Sequence, residues 1–233
     1  MSQAKIHVYC GDGKGKTTAA MGLSVRAMGR GWHVVVSQFL KGQGTGELKV
    51  LRELPLCHVV EAPTASCKFV FQMNEAEKAE CRAQVQQDFR DTVAEAKRVG
   101  AKLLVLDEVL DAVAMKMLDD EELAEFLKTR PEDMEVVMTG RAPTPCVDPL
   151  CDYITRMTKL RHPYDQGLNA RIGVEFLGKT MAFGGSSLAF WEQPCYDESV
   201  KIDIKSIFFE NDNNKEEQKW QRNLLSLPKR QQQ

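Results

Sequence analysis

Three glycines, two lysines and two threonines crowd into eight residues, Gly11-Asp-Gly-Lys-Gly-Lys-Thr-Thr18, directly behind the apolar run Lys5–Cys10. Nothing else in the chain restricts its fold as strongly. A phosphate-binding loop of this kind needs a strand before it and a helix after it. Its glycines then let backbone N–H groups converge on phosphate oxygens, and the helix N-terminus adds a favourable dipole. In that setting Lys16 neutralises phosphate charge, and the Thr17 hydroxyl is placed to coordinate Mg²⁺. The usual loop has about four residues between its first glycine and the Gly-Lys-Thr. Here Gly11 and Gly15 enclose three, and Lys14 is an additional cation.

Short apolar runs alternate with helical patterns over the first three quarters of the chain, which predicts βα units around a parallel sheet. Strands are expected at Lys5–Cys10, Val34–Phe39, Cys57–Ala62, Lys102–Leu106, Glu135–Thr139 and Asp152–Met157. They are rich in Val, Ile and Leu, as strands buried on both faces are. The longest helix is expected to start at an Asn74 cap, with Glu77 completing a capping box, and to end at a left-handed Gly100. Within it Val85, Phe89, Val93 and Ala96 recur at helical spacing and face the core. Asp119 and Asp120 start a second helix around Glu121–Lys128. Residues 1–177 read as one domain. After Leu177 the chain turns polar, with Asn-Asp-Asn-Asn-Lys-Glu-Glu-Gln and a Gln-Gln-Gln end. Residues 178–233 are therefore expected to be an appendage, partly disordered, whose role the sequence does not give.

Composition excludes several classes. Thirty-one basic against 33 acidic residues give a net charge of −2, which argues against a dedicated nucleic-acid binder. No window approaches the ~18–20 apolar residues of a bilayer span, and no signal-peptide pattern opens the chain. Seven scattered cysteines without a Cys-x-x-Cys read as reduced thiols. The expectation is a soluble cytoplasmic protein with no nucleic-acid or membrane partner.

Further strand ends carry chemistry. Lys102-Leu-Leu-Val-Leu-Asp107-Glu108 is an apolar run ending in two carboxylates. Beside a phosphate loop such carboxylates hold Mg²⁺ directly or through water, although an acidic pair also suits the start of a helix. Val-Val-Met-Thr139-Gly140-Arg141 puts a cation at a strand tip, either forked onto phosphate oxygens or simply solvated. Phe39-Leu-Lys41-Gly42 ends the second strand in a similar way.

These segments, in this order, resemble the P-loop type of corrinoid adenosyltransferase. The resemblance is carried by GDGKGKTTAAMGLSVRAMGRG at 11–31, QFLKG at 38–42, TGEL at 45–48, LLVLDEVLDAV at 103–113, VVMTGRAPTP at 136–145 and RHPYDQGLNARIGVEF at 161–176. It implies a RecA-like P-loop NTPase fold, an α/β architecture with a mostly parallel sheet flanked by helices, usually as a homodimer. It implies that reduced Co(I) of a corrinoid (cobalamin, cobinamide or cobyrinic acid diamide) attacks the 5′ carbon of ATP and expels triphosphate. Mg²⁺ is the implied cofactor and an electron-donating flavoprotein the implied partner.

By the same resemblance Gly13, Lys14, Gly15, Lys16, Thr17 and Thr18 match the triphosphate cradle. Gly11, Asp12, Lys41 and Glu47 are assigned to the nucleotide with them. Thr17 and Glu108 match the metal positions, with Asp107 the neighbouring carboxylate candidate, and Lys16 and Arg141 match the catalytic phosphate contacts. The family's nucleotide lies inverted relative to ordinary ATPases, which the short loop fits. Phe69 and Phe71 resemble aromatics wedged under the corrin ring to remove its lower axial ligand; the same residues would also serve as core anchors. Two departures stand out. With the loop at Gly11, no covering N-terminal extension is expected, and residues 178–233 have no recognised counterpart.

The chemistry agrees with the residue types. Co(I) is a very strong nucleophile, so no Ser-His-Asp or Cys-His apparatus is needed, and none is visible. What remains is alignment and charge on a polyanionic leaving group. No Asp-x-His-x-x-Gly is present, so a corrinoid is expected as substrate rather than resident cofactor. His162 reads as a loop-ordering hydrogen-bonder ahead of a cobalt ligand. An Mg-dependent ATPase or kinase and a nucleotide-sensing module are the alternative readings, and the product separates them: triphosphate, ADP or none.

Overall fold

A computed structural model describes residues 4–40, 45–61, 73–168, 171, 173 and 174. Six strands form one sheet: β1 (Ile6–Cys10), β2 (Val34–Gln38), β3 (Cys57–Val60), β4 (Leu103–Asp107), β5 (Glu135–Thr139) and β6 (Tyr153–Arg156). Their order is β3-β2-β4-β5-β1-β6, and every neighbouring pair is parallel. All C-terminal strand ends therefore lie along one edge, where ligands bind in open α/β sheets. β5 stands between β1 and β4, so the Thr139-Gly140-Arg141 tip separates the glycine loop from Asp107.

Helices cover both faces. α1 (Lys16–Met28) and α2 (Gly46–Arg52) set Ala20, Met21, Leu48 and Leu51 against Val34, Val36, Leu103 and Val105. On the other side α3 (Glu75–Arg98), α4 (Val109–Ala114) and α5 (Asp120–Thr129) set Val85, Phe89, Leu110 and Phe126 against Val35, Leu104, Leu106 and Met138. Successive strand residues thus go to opposite faces, and both faces are dry. That is why the central strands are apolar without alternation. Each fully buried Leu or Val contributes about 1.5–3 kcal/mol. The expected burial on both faces fails for β6. It is the last strand in the order, bonded to β1, and its four residues are exposed.

α3 begins and ends as its sequence predicts. The Asn74 side chain accepts from the Glu77 amide, and the Glu77 carboxylate accepts from the Asn74 amide, both at 2.9 Å. Gly100 follows the helix at φ +62°, the left-handed conformation in which a side chain is strained. Val85, Phe89 and Ala96 are buried, and the Phe89 ring meets Phe126 edge-on at 5.8 Å. Asp119 caps α5 by accepting from the Glu121 amide. No described helix is long and apolar enough to cross a membrane.

Asn74→Ala removes one half of the capping box and leaves the α3 backbone without its acceptor. A loss of about 1 kcal/mol is expected in urea denaturation. An unchanged midpoint would mean that packing of the helix face alone fixes its start.

Candidate functional site

The glycine loop is held from below by the chain that follows β6. Met157 donates its amide to the Cys10 carbonyl at 2.8 Å and accepts from the Gly13 amide at 2.7 Å. The Gly11 amide donates to the Arg141 carbonyl at 2.9 Å. There is no room for side chains on this floor. A Cβ on Gly11 would stand 2.3 Å from the Met157 carbonyl oxygen, and one on Gly13 2.7 Å from it. Gly11 also has φ +106° and Gly15 φ +110°, which L-residues rarely adopt. Asp12 ties the loop further, accepting from the Lys159 amide at 3.2 Å. That amide, with Asp12's own, holds its carboxyl below the usual carboxylate range.

Two members of the loop point inward. Lys16 opens α1 and donates its ammonium to the Gly11 and Gly13 carbonyls at 2.8 and 3.0 Å. Thr17 donates to Asp107 across the sheet edge, at 3.0 Å to Oδ1 and 3.2 Å to Oδ2. Asp107 ends β4 with 0% exposure. Two more side chains donate to it. Thr139, at the tip of β5, reaches Oδ1 at 2.7 Å, and Gln38, at the tip of β2, reaches Oδ2 at 3.1 Å.

The structure brings Lys16, Thr17 and Asp107 together, with Glu47 joined through Gln38 at 3.0 Å. Glu108 follows at φ +62°, occupies the N-cap position of α4 without a side-chain capping bond, and donates its amide to Thr139 Oγ1 at 2.8 Å. Arg141 meets the site through its backbone: its amide donates to Asp111 Oδ1 at 3.0 Å and its carbonyl takes the Gly11 amide. Its side chain is exposed. Lys41, Phe69 and Phe71 lie outside the described residues.

Sequence reasoning missed Gln38, Thr45, Thr139 and the Met157–Lys159 floor. Gln38 and Thr45 do stand in QFLKG and TGEL. The available signal was a polar residue closing an apolar strand, which applies to Thr139 as well.

The model of the ATP:corrinoid adenosyltransferase family BtuR/CobO/CobP matches residues 2–176. The chain belongs to this family. Corrinoid adenosyltransferase of Escherichia coli (strain K12) is 34% identical over 174 residues, which are 73% of this chain and 85% of that protein. Corrinoid adenosyltransferase CobA of Salmonella typhimurium is 35% identical over the same shares. The Pseudomonas aeruginosa corrinoid adenosyltransferase is 31% identical over 170 residues, 72% of this chain and 82% of its own. Every described site residue falls inside the family match.

Gly11→Ala should strain the loop by about 1–3 kcal/mol, since it adds a Cβ at positive φ against a carbonyl. ATP affinity measured by fluorescence titration should fall with it. Unaltered affinity would show that the floor yields.

Proposed function

We propose that this chain transfers the 5′-deoxyadenosyl group of ATP to the Co(I) centre of a corrinoid, releasing triphosphate, in the cytoplasm. The observation that carries this reading is the convergence of Lys16, Thr17 and Asp107 beneath a shortened glycine loop, in a chain matched to the family over residues 2–176. The cobalt electron pair forms the bond to C5′. The C5′–O bond breaks, and its electron pair leaves on the triphosphate.

The chain's residues align and neutralise. The Gly11 and Gly13 amides are taken by Arg141 and Met157, so the phosphates fall to the remaining loop amides and the α1 N-terminus. Lys16 sits in the loop's curve, where a cation stabilises charge building on the leaving group. Lys14 adds a second positive charge. Arg141 brings a third to the β5 tip.

Mg²⁺ fits the donors present, which are all oxygens. Thr17 and Asp107 would hold it, with Glu108 one residue on. Among the described residues no cluster of three or more His, Cys, Asp or Glu forms a cage by itself. Magnesium ordinarily takes one or two carboxylates and completes its shell with phosphate and water. When bound, it would neutralise triphosphate charge.

A flavoprotein that reduces the corrinoid and a homodimeric state belong to the same reading. Residues 178–233 are proposed to lie outside the catalytic body, which the family match supports by ending at residue 176. A chain ended at Leu177 should then keep its turnover and its thermal transition; loss of both would place the tail in the fold.

The test of function is anaerobic incubation with ATP, Mg²⁺ and chemically reduced cobalamin. The adenosylated spectrum and intact triphosphate are expected, and ADP instead would identify a kinase or ATPase. Lys16→Ala should lower that rate by about 10²–10³-fold, the usual loss for one charge-stabilising donor. A wild-type rate in this variant would remove the loop from the mechanism.

A further inference from the structure

We infer that Gln38 is a positioning residue for adenosyl transfer, fixing Asp107 and tying it to α2; the inference rests on the function proposed above. Gln38 closes β2 with 5% exposure. Its amide nitrogen donates to two carboxylates, Asp107 Oδ2 at 3.1 Å and Glu47 Oε1 at 3.0 Å. Ionised carboxylates only accept, so nitrogen is the atom that faces them. The Gln38 carbonyl accepts from Thr45 Oγ1 at 2.7 Å, and Thr45 is itself 3% exposed.

This leaves the amide one orientation. Both of its hydrogens sit on anions and its oxygen is satisfied by a buried hydroxyl. Turning it over would set a carbonyl lone pair against two carboxylates.

The consequence reaches the nucleotide. Asp107 Oδ1 takes Thr17 and Thr139, while Oδ2 takes Thr17 and Gln38. Gln38 is therefore the donor from β2 that keeps the carboxylate from turning about its bond to Cβ, and so holds its partner Thr17 in register with the loop. The same amide lets Glu47, in the first turn of α2, approach a second anion without direct repulsion. Neither a longer apolar side chain nor a third carboxylate performs that task.

The experiment compares wild type with Gln38→Met, Gln38→Glu, Thr45→Val and Thr45→Ser in anaerobic adenosylation of pre-reduced cobalamin, with Mg·ATP affinity and melting temperature measured alongside. Gln38→Met keeps the length and loses the donor. Its kcat/KM for ATP should fall by about a hundredfold, the scale of a misplaced reacting group, with a melting temperature near wild type. Mg·ATP affinity should fall by about tenfold, the scale of one lost hydrogen bond to a charged group. Gln38→Glu should lose at least as much, because it sets a third carboxylate, an acceptor without a donor, against Asp107 and Glu47. Thr45→Val should share the defect, and Thr45→Ser, which keeps the hydroxyl, should recover most of it.

Wild-type turnover in Gln38→Met overturns the role. So does a loss in Gln38→Met that only follows the melting temperature, or a Thr45→Ser chain as impaired as Thr45→Val. If wild type binds Mg·ATP and yet forms no adenosylated product, the proposed function fails. The affinity measurement then decides Gln38 alone: unchanged binding in Gln38→Met overturns it, and the tenfold loss sustains it.

Discussion

A carboxylate with no solvent exposure at the tip of a central strand is the constraint around which this protein's working edge is arranged. An anion placed like Asp107 destabilises a fold unless neighbouring groups donate to it. Among the described residues, donors reach it from three elements: Thr17 on α1, Thr139 on β5 and Gln38 on β2. They meet because β2 and β5 flank β4 and β1 lies one strand further. Satisfying one charge therefore specifies the strand order as well as the site. Thr17 follows Lys16 directly, so its bond to Asp107 also sets how far the loop stands above the sheet.

The opposite edge of the sheet fixes the register that this arrangement needs. Asp152 accepts from the Ile6 amide at 2.9 Å and from the Lys5 ammonium at 3.1 Å. Glu135 accepts from the Lys5 amide and pairs with His7, whose ring stacks on Tyr153 at 4.7 Å. The Ile6 amide first, and then Lys5, hold the Asp152 carboxyl below its usual range. A depressed pKa means that this contact stabilises the fold above the ordinary carboxylate range and is lost as pH falls through the lowered value. A slip of β1 by one residue would send its core side chains to the wrong face and lift Gly11 off the Met157 carbonyl.

What the sequence reveals is what depends on neighbours in the chain. The glycine loop, the apolar strands and both ends of α3 each follow from a few adjacent residues, and the structure has them where the pattern puts them. The partners of Asp107 are of another kind. Ser37 and Gln38 are adjacent polar residues closing the same strand. Among the described residues the Ser37 hydroxyl is buried with no hydrogen-bond partner, whereas Gln38 joins three side chains. As successive strand residues they point to opposite faces, and what each face meets is set by the lateral order of the strands, which is not a local property. The floor at Met157 is still less legible, since it acts through a carbonyl that any residue carries. Arg141 shows the converse: its cation is conspicuous in the sequence, while the contacts seen here use its amide and carbonyl. The exposure of β6 likewise follows from its place at the end of the sheet and not from its composition.

These contacts explain how a phosphate loop can be one residue short and keep its shape. In the proposed transfer the nucleophile arrives with the corrinoid, so the chain contributes position and charge and no acid–base step. Position is supplied mostly by peptide groups. Gly13 donates to Met157, Met157 to Cys10 and Gly11 to Arg141, and these bonds place the loop from beneath and from the side. A loop clamped in this way takes its curvature from its supports and not from its own length. The floor also sets the residue type, because the Met157 carbonyl leaves Gly11 and Gly13 no space for a Cβ.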